Sequence, residues 1–135
     1  MLPLEAQPLR ILWADDAVVA VWKPPGMPVQ PDLTESTDLL SALRQQLGEP
    51  AMQLTHRLDR PVSGVVLFGR TPGATAALNA QFRHRTVRKV YWAMVEGLVH
   101  GAMIFEGVVQ RSGRSKKARV RPQVGEEAVA RLQVK

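Results

Sequence analysis

Between Lys23 and Pro31 the chain carries four prolines, at positions 24, 25, 28 and 31, and a glycine at position 26. Proline lacks a backbone N–H and has a fixed φ, so neither a helix interior nor a central strand can run through this stretch. An ordered loop or a polyproline-like crossing is predicted there. Regular structure must be complete before it and resume after it. On the near side, residues 9–13 and 17–22 are short β-rich runs separated by Asp15-Asp16, the pattern of a hairpin. On the far side, Leu40, Leu43 and Leu47 share one helical face. They predict a helix over residues 38–47, with Thr37 as N-cap and Gly48 at its C-terminal end.

Residues 64–69, GVVLFG, are apolar at every interior position and predict a strand buried on both faces. Thr71-Pro72 then supplies an N-cap and a first-turn proline for a second helix, with Ala74, Ala77, Leu78 and Phe82 as its core stripe. Residues 88–95 alternate: Val90, Trp92 and Met94 on one side, Lys89, Tyr91 and Ala93 on the other, as in a strand. Further strands are expected near residues 102–109 and 127–135. The sum is an α+β class, a mostly antiparallel mixed sheet with packed helices, expected as one domain over residues 1–135.

Eighteen Lys and Arg against twelve Asp and Glu give a net charge of +6 and a pI near 10.5. Such a surface attracts polyanions, nucleic acid foremost. With no cysteine, disulfides, thiolate catalysis and Cys-ligated zinc are excluded. His56, His84 and His100 show no metal-ligand spacing, and no metal is expected. Phosphate-binding and dinucleotide glycine motifs do not occur. The N-terminal residues do not read as a signal peptide, and no apolar run is long enough to cross a bilayer. A cytoplasmic protein without a membrane partner is expected; oligomeric state is left open.

The densest chemical signal is Thr55-His56-Arg57-Leu58-Asp59-Arg60-Pro61-Val62-Ser63-Gly64, a polar loop running into the apolar strand. Reactive groups are commonly held on loops anchored to rigid elements. Arg57 and Arg60 flank Asp59, and a guanidinium close by favours an ionised carboxylate fit to act as nucleophile or base. The same residues also make a salt-bridged turn capping the strand, and physics alone leans that way.

The order of motifs adds to this reading. His56-Arg57-Leu58-Asp59-Arg60, then Ser63-Gly64, is similar to the HRLDxxTSG signature of RluA-type pseudouridine synthases. Upstream, Asp15-Asp16, residues 18–21 and Lys23-Pro24-Pro25-Gly26-Met27-Pro28-Val29 resemble the family's hairpin strand and KPxGxxV loop. Downstream, Gln81-Phe82-Arg83 and Thr86-Val87-Arg88-Lys89-Val90-Tyr91 resemble its helix end and KxY strand. The resemblance implies isomerisation of uridine to pseudouridine in ribosomal or transfer RNA, without cofactor or metal. It implies Asp59 as the essential residue and Tyr91 packed against the uracil and assisting C5 deprotonation. Arg57 would fill the space left by the extruded base. His56, Arg60 and Lys89 are further candidates for substrate contact, although hydrogen bonding that holds the loop suits His56 better. Lys23 reads either as a solvent-exposed loop lysine or as a residue positioning the loop or RNA.

Arg83, Arg85 and Arg88, with His84 and Lys89, form one basic stretch; Arg114, Lys116 and Lys117, with Arg111, Arg119 and Arg121, form another. Both are candidate phosphate contacts, and both are also what solvated loops look like. Two departures from the family pattern stand out. Pro61 and Val62 occupy positions where the family often has a polar residue and Thr. The TGRxHQIR-like motif, whose Arg pairs with the catalytic Asp, is not found up to Lys135. The chain therefore reads as the N-terminal part of such a catalytic domain, the alternative being a non-catalytic RNA-binding remnant or a fragment lacking the C-terminal half of the active site.

Overall fold

A computed structural model describes residues 7–98, 100–111, 118–121 and 130–134. The chain divides into two compact units, residues 1–90 and 91–135. In the first, β1 (Ile11–Ala14) and β2 (Val18–Lys23) form the expected antiparallel hairpin. Its turn is held by Asp15, whose Oδ1 accepts the N–H groups of Ala17 at 2.8 Å and Val18 at 2.7 Å. β2 pairs along its whole length with β4 (Gly64–Gly69), and β4 pairs with the two-residue β3 (Gln53–Leu54), giving the antiparallel order β1-β2-β4-β3.

The segment between β2 and the first helix is irregular, as its prolines require. α1 (Leu39–Leu47) ends as expected at Gly48, in the left-handed region at φ 68°. Its N-cap is Asp38 instead of Thr37, with Oδ1 accepting Ser41 N–H at 2.9 Å. Asp outranks Thr as a cap and is better placed by one residue. α2 (Pro72–Arg83) starts on Thr71 and Pro72 as expected.

The core of this unit joins Val19 and Val21 of β2, Val66 and Phe68 of β4, and Leu39, Leu40 and Leu43 of α1, with Val29, Met52 and Leu58 from loops. Period-two alternation explains it: one face of β2 and β4 points at α1. The other face is not fully covered. Val65 is 47% exposed and Trp22, its register partner, 39%. The expectation that β4 is buried on both faces is thus corrected: Val66 and Phe68 are buried, Val65 is not. α2 likewise has no fully buried residue, and Ala77 of its expected stripe is exposed.

The second unit has β5 (Met103–Arg111), β6 (Ala118–Arg121) and β7 (Ala130–Val134) in the antiparallel order β6-β5-β7. β5 and β7 match the two expected strands. β6 lies in the basic stretch for which no strand is predicted. Residues 88–95 are not a strand despite their alternation, and all of them are exposed. Alternation yields a strand only where a neighbour pairs its N–H and C=O groups, and among the described residues none pairs with this segment.

Candidate active site

The candidate loop, residues 55–63, connects β3 to β4, and its first two residues extend the ladder with side chains in place of backbone. Thr55 Oγ1 donates to Leu67 O at 2.6 Å, and His56 Nε2 accepts Leu67 N–H at 2.9 Å. An imidazole accepting through Nε2 is neutral, with its proton on Nδ1. The ring stacks on Phe82 of α2, centroids 4.4 Å apart. Burial, and after it the charge of Lys89, holds its pKa below the ordinary 6.5. His56 therefore fastens the loop root, and Lys89 lies close enough for its charge to be felt there.

Leu58 is the apolar anchor, 7% exposed within the core cluster. It packs beside Gly64, whose φ of +149° suits glycine and whose position leaves only 3.4 Å between an added Cβ and Leu58 Cδ1. Asp59 follows with its side chain exposed, while its carbonyl accepts Val62 N–H at 2.9 Å and closes a turn.

Arg60 is the polar anchor. Its Nε donates to Gly26 O at 2.8 Å, Nη1 to Asp32 Oδ2 at 3.3 Å and Thr34 Oγ1 at 2.9 Å, and Nη2 to Ser36 Oγ at 3.2 Å. Its carbonyl accepts Gly26 N–H at 2.8 Å and Lys23 Nζ at 3.0 Å. Asp32 has its pKa lowered, by hydrogen bonds from Thr34 first and the charge of Arg60 last. Among the described residues the ion pairs are Arg60–Asp32 and Arg70–Glu49, so neither flanking arginine pairs with Asp59. Neighbours in a turn project in different directions, and the loop at residues 26–36 offers Arg60 four oxygens.

Lys23 is fully buried, which removes its reading as a solvent-exposed lysine. Its ammonium donates to the carbonyls of Pro24 at 3.0 Å, Met27 at 2.7 Å and Arg60 at 3.0 Å. Burial, then the charge of Arg60, lowers its pKa, while the Asp59 carboxylate acts to raise it. The carboxylate is therefore electrostatically in touch with Lys23. The signal for this burial lay in β2, where Lys23 is in phase with Val19 and Val21, both buried. Asp32, Thr34 and Ser36 carried no such pattern.

Arg57 is exposed and, with Arg60, Leu58, Val29 and Asp32, lines a concavity of about 110 Å³. A larger hollow of about 430 Å³ lies at the other end of β4, where Arg70 is engaged by Glu49 and the Asp15 carbonyl. Asp59 lines neither, but its two neighbours line the smaller one.

Arg83 closes α2, and Arg85, Arg88 and Lys89 follow it, all exposed. Arg85 has a left-handed φ of 57°. Arg83, in the last turn, complements the negative end of the helix dipole. Tyr91 belongs to the second unit and is 60% exposed. The strand expected to set Lys89 and Tyr91 on one face is not formed. Arg114, Lys116 and Lys117 lie outside the described residues. Among the described residues no group of three or more His, Asp or Glu could hold a metal, and no helix is long and apolar enough to cross a membrane.

The comparisons point one way. A family model described as RNA pseudouridylate synthase matches residues 17–134. The chain is 40% identical over 96 residues to tRNA pseudouridine synthase C of Pasteurella multocida, covering 69% of this chain and 39% of that protein. It is 42% identical over 92 residues to the dual-specificity RNA pseudouridine synthase RluA of Vibrio vulnificus, covering 67% and 36%. The chain thus spans about two fifths of the length of these relatives. The fold is similar to that of human RNA pseudouridylate synthase domain containing 1, with TM-score 0.75, 22% identity and coverage of 98% of this chain and 53% of that one. Human RNA pseudouridylate synthase domain containing 4 gives TM-score 0.69 at 23% identity, covering 92% and 52%.

Proposed function

Since this chain belongs to the RNA pseudouridylate synthase family, we propose that it carries the catalytic carboxylate of an enzyme converting uridine to pseudouridine within RNA. The N1–C1′ bond breaks, the uracil turns, and a C5–C1′ bond forms. C5 gives up its proton and N1 gains one, so the isomerisation balances with no redox partner. A single family match across both compact units supports treating residues 1–135 as part of one catalytic domain.

One observation carries the reading. Asp59 stands exposed between a residue sunk in the core, Leu58, and a residue tied to a second loop, Arg60. A carboxylate free at its tip and fixed at both shoulders is pre-positioned for a substrate that comes to it. A flipped uridine covering it supplies the exclusion of water that strengthens its action. Arg57, exposed and lining the small concavity, is assigned from the resemblance to the gap left by the base. Tyr91 is the partner for stacking on uracil and for the C5 proton, from the KxY resemblance. Lys89 joins the contacts. Arg83, Arg85 and Arg88, with Arg114, Lys116 and Lys117, are assigned to phosphates, and His56 to holding the loop. Transfer and ribosomal RNA are the candidate substrates and the cytoplasm the compartment.

The test is tritium release from RNA labelled at uridine C5, comparing wild type with Asp59→Ala. Release by wild type alone supports the reading. Equal release by both removes Asp59 from its role. Release by neither, with RNA binding retained, favours a non-catalytic RNA-binding protein.

A further inference from the structure

We infer that Arg60 is a positioning residue for Asp59: its side chain serves the geometry of the catalytic loop and makes no substrate contact. The inference rests on the proposed reaction and reassigns a residue first grouped with the substrate contacts.

All six hydrogen bonds of residue 60 described above run to one segment, residues 23–36. Gly26 and Arg60 bond reciprocally, Gly26 N–H to Arg60 O and Arg60 Nε to Gly26 O, both at 2.8 Å. Gly26 sits at φ +85°, a conformation that L side chains rarely adopt, so the crossing is shaped to face Arg60. Beyond it, Asp32, Thr34 and Ser36 form a knot. Thr34 N–H and hydroxyl both donate to Asp32, and the Thr34 and Ser36 hydroxyls lie 2.7 Å apart. Each of these three side chains also accepts from the Arg60 fork.

The ion pair in this cluster is 43% exposed on the arginine side and 36% on the aspartate side. Exposed pairs contribute little to global stability. What such a fork does supply is direction, because a planar guanidinium held at Nε and both Nη atoms cannot rotate. Asp59 is covalently next to that fixed point. Four of its five N–H donors are directed at the loop, so the guanidinium is committed there rather than to a phosphate or a base.

The full-length protein with Arg60→Ala, Arg60→Lys, Thr34→Val/Ser36→Ala and the triple combination is assayed for tritium release under saturating RNA. RNA affinity is read by filter binding and amide exchange by mass spectrometry. Arg60→Ala is expected to lower kcat on the order of 100-fold, the effect of a misplaced reacting group, with RNA Kd unchanged within about twofold. Lysine, lacking the fork, restores part of it. Thr34→Val/Ser36→Ala, which alters no substrate contact, lowers kcat in the same direction, and the triple variant loses no more than Arg60→Ala, the non-additivity of one linked unit. The Gly26 and Val62 amides exchange faster in Arg60→Ala, while those of Val21 and Phe68 keep their protection. Wild-type kcat in Thr34→Val/Ser36→Ala, or a raised Kd with intact kcat in Arg60→Ala, overturns the inference alone. No turnover by wild type overturns the proposed reaction and this inference with it.

Discussion

The ammonium of Lys23 donates to the carbonyl of Arg60 at 3.0 Å, joining the end of β2 to the residue after the candidate catalytic aspartate. The same group holds Pro24 O and Met27 O, so one buried cation sets the spacing of two loops. Removing it takes a donor from the carbonyls of Pro24 and Met27, while that of Arg60 keeps the Gly26 N–H. Lys23→Met should destabilise the fold by about 2–4 kcal/mol, the penalty of unsatisfied polar groups offset in part by regained apolar packing. Urea unfolding measures it, and a loss below about 0.5 kcal/mol would show that water replaces the ammonium at little cost.

Asp59 is exposed and its carboxylate is not within the packing of the core. Asp59→Asn should keep stability within about 0.5 kcal/mol of wild type, as for other surface changes. Turnover should nevertheless fall by about 1,000-fold or more, since the amide is neither nucleophile nor base. Paired unfolding curves and tritium release check both halves. Parallel loss of stability and activity would mean that the side chain is structural.

His56 carries a pH signature. Its pKa is lowered from 6.5 on folding, so below that value the unfolded chain binds more protons than the folded one. Stability should therefore be fully present above pH 6.5 and fall as the pH drops from there through the lowered native pKa, where the Leu67 N–H loses its acceptor. Urea midpoints from pH 5 to 8 for wild type and His56→Gln should diverge in slope only on the acid side. Identical slopes throughout would show that the imidazole is not the titrating group.

Gly69 packs where no side chain fits. A Cβ there would lie 2.8 Å from both the Cα and the N of Thr75, backbone atoms of α2 that cannot rotate away. Gly69→Ala should cost about 1–3 kcal/mol by pushing α2 off β4, seen as a lowered thermal midpoint. An unchanged midpoint would mean that α2 shifts freely.

If the cations after α2 meet phosphates, Arg83→Ala/Arg85→Ala should weaken RNA binding for all sequences alike. The slope of log K against log salt should decrease by about 0.7–0.9 per lost contact. Titrations of RNA at several salt concentrations decide it; an unchanged slope would assign both arginines to the helix terminus alone.

The elements that sequence predicts well here are those governed by local rules. Asp15 makes a turn because its side chain bonds the next backbone N–H groups, the prolines break regular structure, Thr71-Pro72 starts a helix, and Gly48 ends one. Motif order likewise led from His56-Arg57-Leu58-Asp59 to the family. Residues 88–95 failed the same kind of rule, because alternation says which way side chains point and nothing about whether a partner strand exists. The exposed Val65 and Trp22 failed for a related reason, since an apolar run does not state what covers it.

By itself the sequence singled out the candidate carboxylate and determined the loop that bears it and the strand that anchors that loop, because these depend on residues near one another along the chain. The tertiary structure alone decided how the cations around it are used. Arg60 and Asp59 are adjacent in sequence, yet Arg60 bonds to Gly26, Asp32, Thr34 and Ser36, and Lys23 is buried beneath it. Charge partners are chosen by distance in space and by which oxygens are left without donors, and both quantities come into being only when the loops fold against each other.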